Sequence, residues 1–178
     1  MLRYLDVQNI LDKNDLILQE SGCVGSENER GNTYMKKIGI VTDSHSSISQ
    51  EEAEKLGIFV LPMPFYIDGE CFYESVTLSR ELFFEKLAAG ADITTSQPSP
   101  TAVMEIWDKA LEQFEKILYL PISSGLSGSY ETAMMLAKDE AYEGRVLVVD
   151  DGQVAAPLHQ MVLDTLDMIE KGYEAEQI

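Results

Sequence analysis

Hydroxyl side chains and glycines cluster in three short segments of the chain. These are Thr42-Asp43-Ser44, Thr94-Thr95-Ser96-Gln97 and the run from Ser123 to Ser129. We expect each to lie in a loop at a strand end or a helix start, and all three to reach the same edge of one sheet. A helix N-terminus has unpaired N–H groups and a partial positive charge, so a serine- and glycine-rich turn leading into it can bind an anion. Ordinary helix capping by Ser and Thr is the alternative reading of each loop alone.

Nucleophilic catalysis is a second chemistry that these residue types could serve. Gly125-Leu126-Ser127 matches the first three positions of a nucleophile elbow, but Ser129 replaces the final glycine. A hydrolase using Ser127 would need His45 or His159 as its base, since these are the two histidines of the sequence. This reading, with a small-substrate kinase-like domain beside it, is the alternative function class.

Metal and nucleotide sites have weaker support. Asp43, Asp150 and Asp151 are predicted at strand ends, where carboxylates can bind a divalent cation. Strand-end acids are also common without any metal. The sequence contains neither a Walker lysine after a glycine-rich loop nor GxGxxG after a strand, so nucleoside triphosphate and dinucleotide sites are not supported. No cofactor is expected.

The charge and the cysteine content limit the classes of partner and the cellular compartment that we expect for this chain. The chain has 31 acidic and 13 basic side chains and a net charge of -18, so we expect no nucleic-acid partner. Cys23 and Cys71 are far apart and do not form a zinc set with two histidines, which favours a reducing, cytoplasmic setting. With no apolar run long enough for a membrane helix and no signal pattern at the start, we expect no membrane insertion and no secretion.

Strand-like and helical patterns alternate from Lys37 onward and predict an α/β fold. We expect a mainly parallel sheet with helices on both faces. The predicted strands are KIGIVT, FVLPMPFYI, KILYLPI and RVLVVD, with a turn at Asp68-Gly69 leading into another short extended piece. The predicted helices are SQEEAEKLG, SRELFFEKLAAG, Ser99 to about Phe114, YETAMMLAKDEAY and about Ala155 to Lys171. Ser49, Ser79 and Ser99 are the expected N-caps, and Glu52 the reciprocal member of a capping box.

Residues 1–34 differ in composition from the rest of the chain. An amphipathic stretch from Leu5 to Leu18 gives way to the polar run SGCVGSENERGNTY. We interpret residues 1–34 as a flexible extension or the product of a misassigned start, and residues 35–178 as the folded domain.

The three hydroxyl-rich segments together resemble the signature segments of the DegV family. IVTDSHSSIS, TTSQPSP and LPISSGLSGSYETA occur in the family's order and spacing, with FYIDGE and FYESVTL between the first two. The resemblance covers approximately Lys36 to Ile178. It implies an N-terminal DegV-like domain that binds a long-chain fatty acid in a tunnel between two α/β domains. It further implies a carrier without catalysis of its own, which presents the fatty acid carboxylate to an ATP-dependent fatty acid kinase; the acyl phosphate product would enter phospholipid synthesis.

The resemblance also implies which residues hold the carboxylate. Thr94, in TTSQP, and Ser124, in SSG, match the positions of its two hydrogen-bond donors, with Ser96, Ser123 and Ser127 as neighbours. Two features depart from the family pattern. Family chains continue into a second domain that closes the tunnel, and Asp151-Gly152-Gln153 stands where a serine or threonine usually follows the aspartate.

Overall fold

The computed structural model describes residues 36–73 and 76–178. The prediction for residues 1–34 lies outside this part of the chain. The strands are β1 (Lys36–Asp43), β2 (Phe59–Leu61), β3 (Pro64–Ile67), β4 (Glu70–Tyr73), β5 (Ile93–Thr95), β6 (Phe114–Leu120) and β7 (Val146–Val148). The helices are α1 (Gln50–Leu56), α2 (Arg80–Ala88), α3 (Pro100–Leu111), α4 (Ser129–Leu136) and α5 (Ala156–Glu170), with 3-10 turns at Ser44–Ser46 and Ala175–Gln177.

The chain forms two compact units. One contains residues 36–64 and Ser96–Ile178 of the described chain, and the other contains Phe65–Thr95. The sequence patterns predicted one folded domain over residues 35–178 and did not indicate two units within it. That domain assignment stays a prediction.

A four-stranded parallel sheet forms the centre of the larger unit. Its strand order is β2-β1-β6-β7, and each neighbouring pair runs parallel. Neighbouring parallel strands need a long crossover connection, because the chain must return to the same end of the sheet before the next strand. Helices provide this connection here. The two central strands, β1 and β6, are apolar and mostly buried because helices cover both sides of the sheet.

Alternate residues of the central strands pack against different helices. On one face, Val41, Ile117 and Tyr119 join α3 and α4 in a core that also contains Val103, Ile106, Trp107 and Ala133. On the other face, Ile40 and Leu120 join α1 and α5 through Ala53, Leu158 and Val162. Side chains alternate between the faces of a strand, so adjacent residues serve separate cores. The predicted α/β fold with helices on both faces is confirmed.

Gly39 permits a close approach within this sheet. A Cβ atom at Gly39 would lie 2.5 Å from the ring of Phe114, the first residue of β6. Real Cβ contacts are not this short, so a side chain at position 39 would force the buried Phe114 ring to move.

The smaller unit is built on a three-stranded sheet with the order β4-β3-β5. Asp68 and Gly69 have φ values of 51° and 82°, which identifies the predicted turn as a tight hairpin connection between β3 and β4. Strand β5 pairs antiparallel with β3. The prediction that Thr94 and Thr95 lie in a loop was therefore wrong, because the β-branched residues Ile93–Thr95 form a strand of this sheet.

Prolines divide the predicted strand FVLPMPFYI into two strands of different sheets. Phe59–Leu61 forms β2 at an edge of the parallel sheet, and Pro64–Ile67 forms β3. Proline has no N–H to donate to a ladder, and accordingly Pro62 lies between the two strands and Pro64 is the first residue of β3.

Several predicted helix boundaries are confirmed and others are corrected. Ser49, Ser79 and Ser99 cap their helices as predicted. Helix α3 ends at Leu111 instead of near Phe114, because Phe114 already begins a buried strand. Helix α4 ends at Leu136, and turns replace the remainder of the predicted helix.

Glu52 has a different partner from the one expected. Its carboxylate Oε1 lies 3.1 Å from Nε2 of His159, on α5. The tertiary contact thus replaces the predicted capping-box role of its side chain, whereas the Glu52 N–H does bond to Ser49 Oγ at 3.1 Å.

Candidate functional site

The carboxyl ends of β1 and β6 bring two of the three hydroxyl-rich segments together. Asp43 is fully buried, and its Oδ2 accepts a hydrogen bond from the N–H of Ile122 at 2.8 Å. Its Oδ1 accepts from the N–H of His45 at 2.9 Å. The Thr42 hydroxyl, also buried, donates to the carbonyl of Leu120 at 2.7 Å. The first segment therefore acts as a buried support for the turn that follows β6.

Ser123 and Ser127 shape the turn between β6 and α4. The Ser123 carbonyl accepts from the N–H groups of Leu126 and Ser127 at 2.9 and 3.2 Å, and its hydroxyl oxygen accepts from Gly125 N at 3.2 Å. The Ser127 hydroxyl lies 2.8 Å from that of Ser129 and accepts from Ser129 N at 3.2 Å. Both hydroxyl oxygens accept from the backbone N–H two residues later, as in a serine turn.

Ser124 binds a carboxylate within the chain. Its backbone N–H donates to Oδ1 of Asp150 at 3.2 Å, and its hydroxyl donates to Oδ2 of the same side chain. Gly152 N–H also donates to Oδ1, at 3.2 Å. The Ser124 hydrogen bonds are the main reason why the pKa of Asp150 lies below its ordinary value. Ser124 therefore offers two convergent donors to one carboxylate group.

Asp151 lies in a different environment from its neighbour. Its Oδ2 is buried and has no hydrogen-bond partner among the described residues, while Oδ1 accepts from Gln153 N at 2.9 Å. Burial raises the pKa of Asp151, and the negative charges of Asp150 and Asp43 add to this effect. The carbonyl of Gln153 accepts from Ser123 N at 3.0 Å, so the segment after β7 contacts the serine turn.

The middle segment is divided between the two units. Ser96 and Gln97 belong to the larger one, where Gln97 Oε1 accepts from the Thr132 hydroxyl of α4 at 3.4 Å. The exposed Ser96 hydroxyl donates to the Gln97 carbonyl at 3.1 Å. Thr94 belongs to the smaller unit, is exposed on β5 and is paired in register with Tyr66. Thr94 therefore lies on a strand rather than in the predicted loop.

The sequence did not indicate the surroundings of two residues in this region. Asp150 was considered for metal binding, although its contact is Ser124. Leu126, two residues beyond Ser124, is 65% exposed and is one of the large apolar side chains that the fold leaves in contact with solvent. Its position between Gly125 and Ser127 was the sequence signal for this exposure, because an apolar side chain in a turn seldom reaches the hydrophobic core.

The structure gives other partners to Ser127 and to both histidines. The Ser127 hydroxyl lies 2.8 Å from that of Ser129. His159 Nε2 lies 3.1 Å from Glu52 Oε1, and His45 Nδ1 lies 3.3 Å from Asp43 Oδ1. Across 36–73 and 76–178, no group of three or more His, Cys, Asp or Glu side chains is arranged to hold a metal ion. In the same residues, no helix combines the length and apolar character needed to cross a bilayer.

Comparison with known proteins places this geometry in a family. Residues 37–178 match the family model described as "Uncharacterised protein, DegV family". A DegV domain-containing protein of Caldanaerobacter subterraneus is 33% identical over 144 residues, covering 81% of this chain and 51% of the relative. A second, from Deinococcus radiodurans, is 35% identical over 142 residues, covering 79% of this chain and 50% of the relative. The chain thus spans about half the length of these curated relatives.

Solved structures of similar proteins include several that bind fatty acids. A DegV family protein from Thermus thermophilus, described for its fatty acid binding, is 33% identical with a TM-score of 0.72, covering 79% of this chain and 50% of that one. A Thermotoga maritima protein described as having a fatty acid binding function is 27% identical with a TM-score of 0.69, covering 81% and 52% of the two chains. The ordered segments, the parallel sheet and these matches agree, and the chain belongs to the DegV family.

Proposed function

We propose that this chain binds a long-chain fatty acid and that hydroxyl groups hold the carboxylate. The observation that carries the proposal is the pair of Ser124 donors, which already bind a carboxylate group in this structure. Fatty acid binding by DegV proteins of known structure supports the same ligand class. Ser124 and Thr94 are assigned as the main donors, and Ser96, Ser123 and Ser127 as neighbours that contribute to the site or maintain its shape.

The physical chemistry of the serine turn suits a fatty acid head group. Hydrogen bonds to an ionised carboxylate are stronger than those between neutral groups, so a hydroxyl and a backbone N–H can bind it without a cationic side chain. Such neutral donors leave the carboxylate oxygens open to a reaction partner. The acyl chain then supplies most of the affinity, at about 0.8 kcal/mol for each methylene removed from water. Leu126, exposed beside Ser124, offers apolar surface for it.

The remaining parts of the proposal concern the whole protein. We assign residues 35–178 to the first domain of a two-domain carrier, with residues 1–34 as an extension. A second domain would close the acyl tunnel, and the chain covers about half of its curated relatives. The complete carrier would act in the cytoplasm and present the carboxylate to an ATP-dependent fatty acid kinase. The acyl phosphate formed there would supply phospholipid synthesis.

Mass spectrometry of the organic extract from freshly purified protein tests ligand binding directly. Near-stoichiometric fatty acid per chain is the expected result. An empty extract, together with failure to bind added oleate, would overturn the proposal for this chain.

A kinase assay tests the carrier role separately. Oleate-loaded protein, ATP and a purified bacterial fatty acid kinase should yield acyl phosphate, trapped as the hydroxamate. Free oleate without the carrier is the control. Equal product with and without the carrier would exclude presentation of the carboxylate while leaving fatty acid binding intact.

A further inference from the structure

The Asp150 carboxylate occupies both donors of Ser124 in the absence of any ligand. The Ser124 N–H and hydroxyl reach different oxygens of the same carboxylate. The two residues are 26 positions apart and follow different strands, so this contact is a product of the fold rather than of local sequence. The donors proposed for the ligand are therefore already satisfied by the protein.

From this geometry, and resting on the proposed function, we infer that Asp150 is an internal competitor that a fatty acid carboxylate must displace from Ser124. Two ionised carboxylates cannot share one pair of donors, because their like charges would repel when both groups lie within hydrogen-bond distance of Ser124. Asp150 is exposed and lies outside regular structure, after β7. Its side chain can therefore rotate into water when a ligand arrives.

Competition of this kind determines ligand affinity and protects the empty site. While Asp150 is bound to Ser124, both Ser124 donors are occupied, so the site has a low affinity for small anions. A long-chain fatty acid can displace Asp150 because burial of its acyl chain contributes affinity that a short carboxylate lacks. The inference therefore assigns to Asp150 a role in selecting amphipathic carboxylates over small ones.

Asp150→Asn separates the charge of the side chain from its role in the local turn. Asn retains an oxygen that can accept from the N–H groups of Ser124 and Gly152. Its amide nitrogen, unlike the carboxylate oxygen, cannot accept the Ser124 hydroxyl proton. The variant thus frees that hydroxyl and removes the repelling charge. Asp139→Asn is the matched control, because Asp139 also accepts a turn N–H, that of Ala141 at 3.0 Å, and carries the same charge.

The test is oleate binding by the full 178-residue chain, measured by calorimetry below the micelle concentration. Asp150→Asn should bind oleate about tenfold more tightly than wild type, as expected for release of one charge-assisted hydrogen bond. Asp139→Asn should bind like wild type. In a Ser124→Ala background, which lacks the hydroxyl but keeps the backbone N–H, the gain from Asp150→Asn should be clearly smaller than in wild type. Circular dichroism and thermal unfolding would establish that each variant is folded.

The possible results separate this inference from the proposed function. If wild type binds oleate but Asp150→Asn binds no more tightly, the competitor role is overturned and fatty acid binding stands. An equal gain in the Ser124→Ala background also overturns it, because the gain then does not depend on the Ser124 hydroxyl. If no folded variant binds oleate, the proposed function fails and the inference fails with it.

Discussion

The buried carboxylate of Asp43 accepts a hydrogen bond from the backbone N–H of Ile122, with 2.8 Å between nitrogen and Oδ2. This bond joins the end of β1 to the turn after β6, two residues before Ser124. Asp43 also accepts from His45 N at 2.9 Å, so its two oxygens support two loops at once. Asp43 therefore supports the position of the serine turn through hydrogen bonds inside the protein.

Asp43→Ala should lower the free energy of unfolding by about 3 kcal/mol, because it removes hydrogen bonds to a charged group and leaves the buried N–H of Ile122 without its acceptor. Asp43→Asn, of nearly the same shape, should cost less because an acceptor remains. Urea denaturation of the three proteins measures both effects. Equal stability of the alanine variant and wild type would contradict the supporting role of Asp43.

Thr94→Ala and Ser124→Ala should each weaken oleate binding by about 1 to 3 kcal/mol, the usual loss of a hydrogen bond to a charged group. Thr95→Ala is the control for Thr94, since neighbouring strand residues point to opposite faces and Thr95 is also exposed. Calorimetric titration with oleate provides the comparison. Unchanged affinity in both variants would refute the assignment of these donors.

Ala155→Gly should stabilise the protein by about 1 kcal/mol through relief of backbone strain. Ala155 precedes α5 with φ 56° and ψ -132°, a conformation that is essentially restricted to glycine. Ala156→Gly, at the first helical residue, should have the opposite sign because glycine is a poor helix former. The midpoints of chemical denaturation of the two variants and wild type test both effects. A destabilised Ala155→Gly would contradict the relief of backbone strain.

The stabilising effect of the Tyr142 hydroxyl should decrease in alkaline solution. Burial and the hydrogen bond to Asp108, 2.9 Å long, raise the pKa of Tyr142 to about 12. An unfolded tyrosine titrates near pH 10, so the contribution is complete below about pH 10 and is lost as the pH rises towards 12.

The free energies of unfolding of wild type and Tyr142→Phe, measured across that range, test this expectation. The advantage of wild type should shrink above about pH 10. A constant difference between the two proteins throughout the range would exclude linkage through Tyr142.

Local sequence determined the parts of the fold that depend on neighbouring residues. The apolar runs of β1 and β6 have the composition of buried strands, and they form the centre of the parallel sheet. Ser49, Ser79 and Ser99 were identifiable as caps because a cap bonds to a backbone N–H three residues away. The order of three hydroxyl-rich segments was also sufficient to indicate the DegV family.

Tertiary structure decided what depends on residues distant in the chain. Ile93–Thr95 became a strand because β3 offered it a partner, which the polar residues around it did not reveal. Glu52 turned from its own helix start towards His159 because α5 packs beside α1. The carboxylate contact of Ser124 with Asp150 could not be read from the sequence, because it exists only where the turns after β6 and β7 meet at one edge of the sheet. Sequence thus determined which segments carry hydroxyl donors, and packing decided which of those donors face a carboxylate and which merely cap a turn.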